Sequence, residues 1–228
     1  MNHHARVADT LTATLILAGG TGVRVGGINK PFLEVAGRPL LEWTLEYVTA
    51  ERVILIAPDD VATLPGAGRL ERVVEDPPLS GPMAGFVAGC RYLANSRLSD
   101  PGLRHDARVG LIPVDAPLSG RALAVLDAAI AMGEPWGGAS VVLASVDGYR
   151  HPVVGVWRLD VALTAAAELE RQAKESGRAP RRSMKALLEV VESTGGTVVN
   201  VEVDPILVDD IDTPEDAIRV ERRLTTVE

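Results

Sequence analysis

T-A-T-L-I-L-A-G-G-T-G-V-R-V-G-G-I-N-K-P, residues 12–31, runs a short apolar stretch straight into a segment holding five glycines, an arginine and a lysine. The apolar part is too short for a helix and rich in β-branched and aliphatic residues, so it reads as a buried strand. The segment behind it is bare backbone ending in cations. Glycine lets backbone N–H groups approach an anion closely, and Arg24 and Lys30 can neutralise a polyphosphate. A flexible loop would share the composition; placement favours a nucleotide, because open α/β sheets bind ligands outside the carboxyl ends of their strands.

Two familiar phosphate-binding patterns fail here. A Walker loop needs Gly-Lys followed by Ser or Thr, whereas Lys30 follows Asn29 and precedes Pro31. A dinucleotide fingerprint needs G-x-G-x-x-G opening a helix, whereas the spacing from Gly20 is G-x-G-x-x-x-G and Pro31 leads into the extended F-L-E-V-A-G-R-P.

Outward from this stretch, short β-rich runs alternate with longer helical patterns, the rhythm of a parallel sheet with crossover helices. Strands are expected at 12–17, 52–57, 72–75, 109–114, 140–144, 152–157 and 197–203, and helices at 39–49, 82–95, 120–132, 159–175, 184–193 and 214–224. The V-D-G-Y-R-H segment carries Asp-Gly between two apolar runs and predicts a hairpin, so one strand pair should break the parallel pattern. E-S-G-R-A-P-R-R-S, residues 175–183, is basic, poor in apolar residues and reads as a mobile loop. Residues 1–10 are polar and aperiodic and read as a flexible terminus, His3 and His4 included, rather than a metal site.

Composition narrows the partners. With 46% hydrophobic but only 4% aromatic residues, the core must be built from aliphatic side chains, as in a sheet covered on both faces. A net charge of -8 speaks against a nucleic-acid surface. No apolar run reaches the roughly 18–20 residues of a membrane helix. The single cysteine, Cys90, cannot form an internal disulfide and is expected as a buried thiol in a reducing, cytoplasmic compartment.

Four segments carry a family resemblance. Residues 17–42, beginning L-A-G-G-T-G-V-R-V-G-G-I-N-K-P, resemble the leader of nucleotidyltransferases that join a nucleoside monophosphate to a phosphorylated acceptor. E-D-P-P-L-S-G-P-M-A-G (75–85), P-V-D-A-P (113–117) and R-H-P-V-V-G-V-W (150–157) bring it nearest to the molybdenum cofactor guanylyltransferase family, over residues 15–220. Two positions depart from that family: Asn29 stands where it usually has Asp, and D-I-D-T-P (210–214) where it has Asn-x-Asn-Thr-Pro. The second form is shared with cytidylyltransferase-like relatives.

The resemblance implies a single Rossmann-like three-layer α/β domain over residues 1–228, with a mostly parallel sheet and a β-hairpin insertion. It implies Mg²⁺-dependent transfer of GMP from GTP to molybdopterin carrying molybdenum, with pyrophosphate released. The alternatives are a cytidylyltransferase acting on that cofactor or another phosphorylated metabolite, and a nucleotide sensor without catalysis. Arg24 and Lys30 would be the catalytic cations. Leu17, Ala18, Gly19, Gly20 and Gly81 would give base and ribose close access, and Asp115, after the strand V-G-L-I-P-V, would hold Mg²⁺. Asp76 either accepts from a purine edge or forms an Asx turn before Pro77. His151 either meets the acceptor or is structural. Arg182, with Arg181, either clamps the acceptor phosphate or belongs to a solvated loop. Thr213, Pro214, Glu215 and Asp216 read as the cap and first turn of a helix, which leaves Asp212, with Asp210, for a second metal or acceptor contact. The implied partners are GTP and a molybdopterin-type acceptor, without nucleic acid or membrane; contact with molybdenum cofactor enzymes or a second copy stays open.

Overall fold

Alternate residues of the central strands enter two separate apolar cores. Ala13 and Leu15 of the first strand, Ile54 and Ile56, Val109 and Leu111, and Val141 and Leu143 share one core. Their neighbours Ile16, Leu55, Ile112 and Val142 share the other. A strand whose two faces are both apolar has to be covered on both sides, which is the layered arrangement seen in the computed structural model. The structure describes residues 11–19, 29–57, 70–78, 80–96, 103–104, 106–133, 135, 137–177, 179 and 181–227. The expectations for residues 1–10, Gly20 and Arg24 fall outside them.

Among the described residues nine strands are formed: β1 (Ala13–Leu17), β2 (Glu34–Val35), β3 (Arg38–Pro39), β4 (Arg52–Ile56), β5 (Glu71–Val73), β6 (Arg108–Pro113), β7 (Val141–Val146), β8 (Tyr149–Arg158) and β9 (Val198–Glu202). Seven make the main sheet in the order β5-β4-β1-β6-β8-β7-β9. Only β8 runs against the others, pairing antiparallel with both β6 and β7. The expected hairpin is therefore part of the main sheet. Its two-residue turn has Asp147 and Gly148 at φ 50° and 79°, the positive values such turns require.

The helices are α1 (Leu40–Glu46), α2 (Pro82–Ser96), α3 (Ser119–Ala131), α4 (Leu159–Ser176), α5 (Met184–Ser193) and α6 (Pro214–Val227). Side chains of α2, α4 and α5 fill one core and those of α1, α3 and α6 the other. Cys90 is buried in α2, where burial pushes its thiol up. Helix α1 is shorter than the pattern predicts, since the backbone leaves helical geometry at Tyr47. The small β2–β3 ladder was not foreseen; it turns at Ala36 and Gly37, and Val35 O accepts from Trp43 Nε1 at 2.9 Å. No helix among the described residues is long and apolar enough to cross a membrane.

Chain direction fixes where a ligand can sit. From β1 the chain moves to β4 and β5 on one side, then crosses back to β6 on the other, so connections diverge above the carboxyl ends of β1 and β6. Sheets of this kind bind ligands at that point.

Candidate active site

A cleft of about 490 Å³ opens there, within the range that suits a small-molecule ligand. Leu17 and Pro113, the last residues of β1 and β6, line it. The backbone continues the ladder past both strands: Val114 N donates to Leu17 O at 2.9 Å and Ala18 N to Ile56 O at 2.8 Å. Asp115 thus leaves the sheet from a fixed point.

Lys30 is held equally firmly. It opens a single 3₁₀ turn, Lys30–Phe32, with buried Pro31 behind it; Phe32 N donates to Asn29 O at 2.9 Å and Leu33 N to Lys30 O at 3.1 Å. From this anchor the Lys30 ammonium donates to Asp115 Oδ2 at 2.6 Å and to Asp212 Oδ1 at 2.5 Å. Its side chain is 14% exposed, against 23% for Asp115 and 44% for Asp212. Burial alone would lower the lysine's pKa, but the two carboxylates outweigh it and hold the ammonium above its ordinary value.

The chain returns for Asp212 from the far side of the sheet. Ile211 N donates to Asp115 O at 3.0 Å, stitching the final segment to the end of β6. Immediately afterwards Thr213 caps α6: its Oγ1 accepts from Asp216 N at 3.2 Å, while Asp216 Oδ2 accepts from Thr213 N at 2.9 Å and Asp212 N at 3.2 Å. This reciprocal box fixes the backbone that carries Asp212. Asp209 is drawn away by Arg219 at 2.8 Å and Arg223 at 2.7 Å. Asp210 lines the cleft. Desolvation at the wall, then the charges on Asp115 and Asp212, raise its carboxyl above the ordinary range, with Lys30 partly offsetting them.

His151 reaches the cleft through an irregularity in β8. Arg150 pairs with Ser145 and Gly155 with Leu143, so residues 151–154 face the single residue Ala144. Bulges of this kind redirect side chains beside functional sites, and His151, Val153 and Val154 all line the cleft. Burial lowers the His151 pKa, with Asp210 working against it, so the imidazole is neutral near pH 7.

The sequence-derived candidates separate into groups. Leu17, Gly19, Lys30, Gly81, Asp115 and His151 line one cleft, and Asp212 joins it through Lys30. Ala18 packs into the core beneath. Arg182 is exposed and off the cleft wall, and Arg181 pairs with Glu189 at 2.7 Å. Asp76 is exposed and off the wall; its neighbour Glu75, which the sequence did not single out, lines the cleft.

The donor set suits a hard cation shared with a substrate. Among the described residues no three His, Cys, Asp or Glu side chains gather into a complete metal cage. Asp115 and Asp212, 2.6 and 2.5 Å from one ammonium, could supply the one or two carboxylates that Mg²⁺ takes from protein when phosphates complete its shell.

Residues 14–194 match the family model described as MobA-like NTP transferase domain. A molybdenum cofactor guanylyltransferase of Ectopseudomonas mendocina is 31% identical over 205 residues, covering 89% of this chain and 88% of its own. One from Cereibacter sphaeroides is 35% identical over 159 residues, 68% of this chain and 73% of its own. A crystal structure of molybdopterin-guanine dinucleotide biosynthesis protein A from Archaeoglobus fulgidus superposes with a TM-score of 0.61 at 22% identity, covering 94% of this chain and 99% of that one; this likeness speaks to the fold alone.

Proposed function

The chain belongs to the MobA-like NTP transferase family and is a nucleotidyltransferase, and on that premise we propose that it moves GMP from GTP to molybdopterin carrying molybdenum. An acceptor phosphate oxygen forms a bond to the α-phosphorus while the bond from that phosphorus to the β-phosphate bridge breaks, and pyrophosphate leaves. There is little covalent work for a protein in such a step; positioning and neutralisation of spreading charge carry it.

The observation that supports this most is Lys30 held between Asp115 and Asp212 at the mouth of the cleft. In the resting protein the ammonium is occupied by carboxylates. A triphosphate would draw it onto phosphate oxygens, with Arg24 as the second cation. Asp115 would then hold Mg²⁺, with Asp212 as a second carboxylate, and the bound ion would neutralise phosphate charge and align the reacting groups. Asp115 and Asp212 hold one ammonium between them and Asp210 feels the charge of both, so a polyanion would enter unfavourably without such a counter-ion. Asp212, and less directly Asp210, would meet the acceptor through the metal or through donors on the acceptor, since an ionised carboxylate only accepts hydrogen bonds. His151, neutral near pH 7, can still donate one hydrogen bond to that acceptor. Arg182 would clamp its phosphate from the loop before α5.

The test is pyrophosphate release with Mg²⁺ and molybdenum-loaded molybdopterin across GTP, CTP, ATP and UTP. GTP should support turnover well above the others. Preference for CTP would overturn the base assignment, and release with none of the four would overturn transfer itself.

A further inference from the structure

We propose that the Lys30 ammonium occupies the cation's own place on Asp115 and gates it, so that the ligand-free protein turns divalent metals away and admits one only together with a polyphosphate. The inference rests on Asp115 as the metal ligand in the reading above and adds the order in which charge enters the cleft.

Both ends of the ion pair stand on pinned backbone. Val114 N donates to Leu17 O at 2.9 Å and Ile211 N to Asp115 O at 3.0 Å on one side, and Leu33 N to Lys30 O at 3.1 Å on the other. Between them only the lysine stem is soft, four carbons ending in three rotatable donors. The ammonium donates to Asp115 Oδ2 at 2.6 Å and to Asp212 Oδ1 at 2.5 Å, and the side chain is 14% exposed. A compact cation held by carboxylate oxygens therefore already fills this corner of the cleft.

A second cation cannot join it cheaply. At a few ångströms, away from bulk water, a divalent ion and an ammonium on the same carboxylate repel strongly. A metal arriving alone has to drive the ammonium off Asp115 without offering it a new anion. A triphosphate changes both sides of the exchange: its oxygens take over the ammonium, and its charge accompanies the metal to Asp115. Rotation of one side chain is enough for this, since the backbone on either side is already in place.

Mn²⁺ shares the oxygen-ligand chemistry of Mg²⁺, and its free ion is counted by electron paramagnetic resonance. Nucleotide-free parent, Lys30→Met, Asp115→Asn and the double variant are titrated with Mn²⁺, with cooperative thermal unfolding as the check on folding. Methionine keeps most of the stem and removes the charge. Lys30→Met should bind Mn²⁺ about tenfold or more tightly than the parent, the scale of one hydrogen bond to a charged group, and adding Asp115→Asn should abolish the gain. Equal affinities in parent and Lys30→Met overturn the gate; if Asp115→Asn nevertheless weakens Mn²⁺ binding, the metal reading of Asp115 survives. A gain that persists in the double variant overturns both. The parent alone gives a second measurement, because the chain has only three lysines and the other two, Lys174 and Lys185, are exposed. The Lys30 Cε signal in nuclear magnetic resonance should move when Mg²⁺ and GTP are added together and stay in place with Mg²⁺ alone. A shift with Mg²⁺ alone equal to that with both overturns the gate, even if Lys30→Met fails to fold.

Discussion

Replacing Lys30 by alanine should damage both turnover and stability, in proportions set by its two ion pairs. Loss of one preorganised electrostatic donor at a transition state costs about 10²–10³-fold in rate, and turnover should fall by that factor. The stability term follows from exposure. Exposed ion pairs are worth about 0–1 kcal/mol and breaking a buried one costs about 3–5. Lys30 is 14% exposed but Asp212 is 44% exposed, so solvent screens one side of the bridge. A loss of about 1–2 kcal/mol is expected, or about 3–6 °C in Tm for a chain of this size. Its origin would be the carboxylates left facing one another, so adding Asp212→Asn to Lys30→Ala should recover most of the Tm and none of the turnover. The assay is pyrophosphate release at saturating substrates, alongside thermal unfolding of the ligand-free protein. Turnover within a few-fold of the parent would refute the role assigned to Lys30, and an unchanged Tm would refute the charge cluster.

Asp115→Asn keeps the shape of the side chain and removes its charge, so activity should require far more Mg²⁺ while the unfolding transition stays cooperative; a metal titration overlaying the parent's would show that another group holds the ion. Asp210→Asn should stabilise the ligand-free protein near pH 7. Desolvation and the charges on Asp115 and Asp212 raise the folded carboxyl above its ordinary 3.8, so folding favours the protonated form. The cost of ionisation is complete above the raised folded value and vanishes below the unfolded one, so the gain in Tm should shrink as pH falls toward 4. A gain independent of pH, or a loss at pH 7, would contradict this origin.

Much of this architecture was legible because its signals are local and periodic. The Asp-Gly turn at 147–148 and the Thr213 cap of α6 each need only a few neighbouring residues, and both formed where expected. The site was less legible because its side chains are sorted by distant partners. In V-D-D-I-D, residues 208–212, nothing local says that Asp209 turns outward; Arg219 and Arg223, ten and fourteen residues away, decide it. Asp76 and Glu75 posed the same problem. Strand β5 ends at Val73, and beyond a strand's end the alternation that assigns faces no longer applies. The β8 irregularity that brings both His151 and Val154 to the cleft depends on pairing with β7, which alternation within β8 alone could not reveal.

The bridge from Lys30 to Asp212 spans 182 residues, and this orders events during synthesis. At translation rates of about 5–20 residues per second, roughly 10–40 s separate the making of the two residues. Through that interval the nascent chain has Lys30, and then Asp115, but neither the second carboxylate nor the Val220 and Leu224 side chains of α6 that bury one side of the core. A message ending after codon 194 would encode the whole family-matching segment, yet its product would have an open cleft and an uncovered apolar face, making it a client for chaperones or proteases.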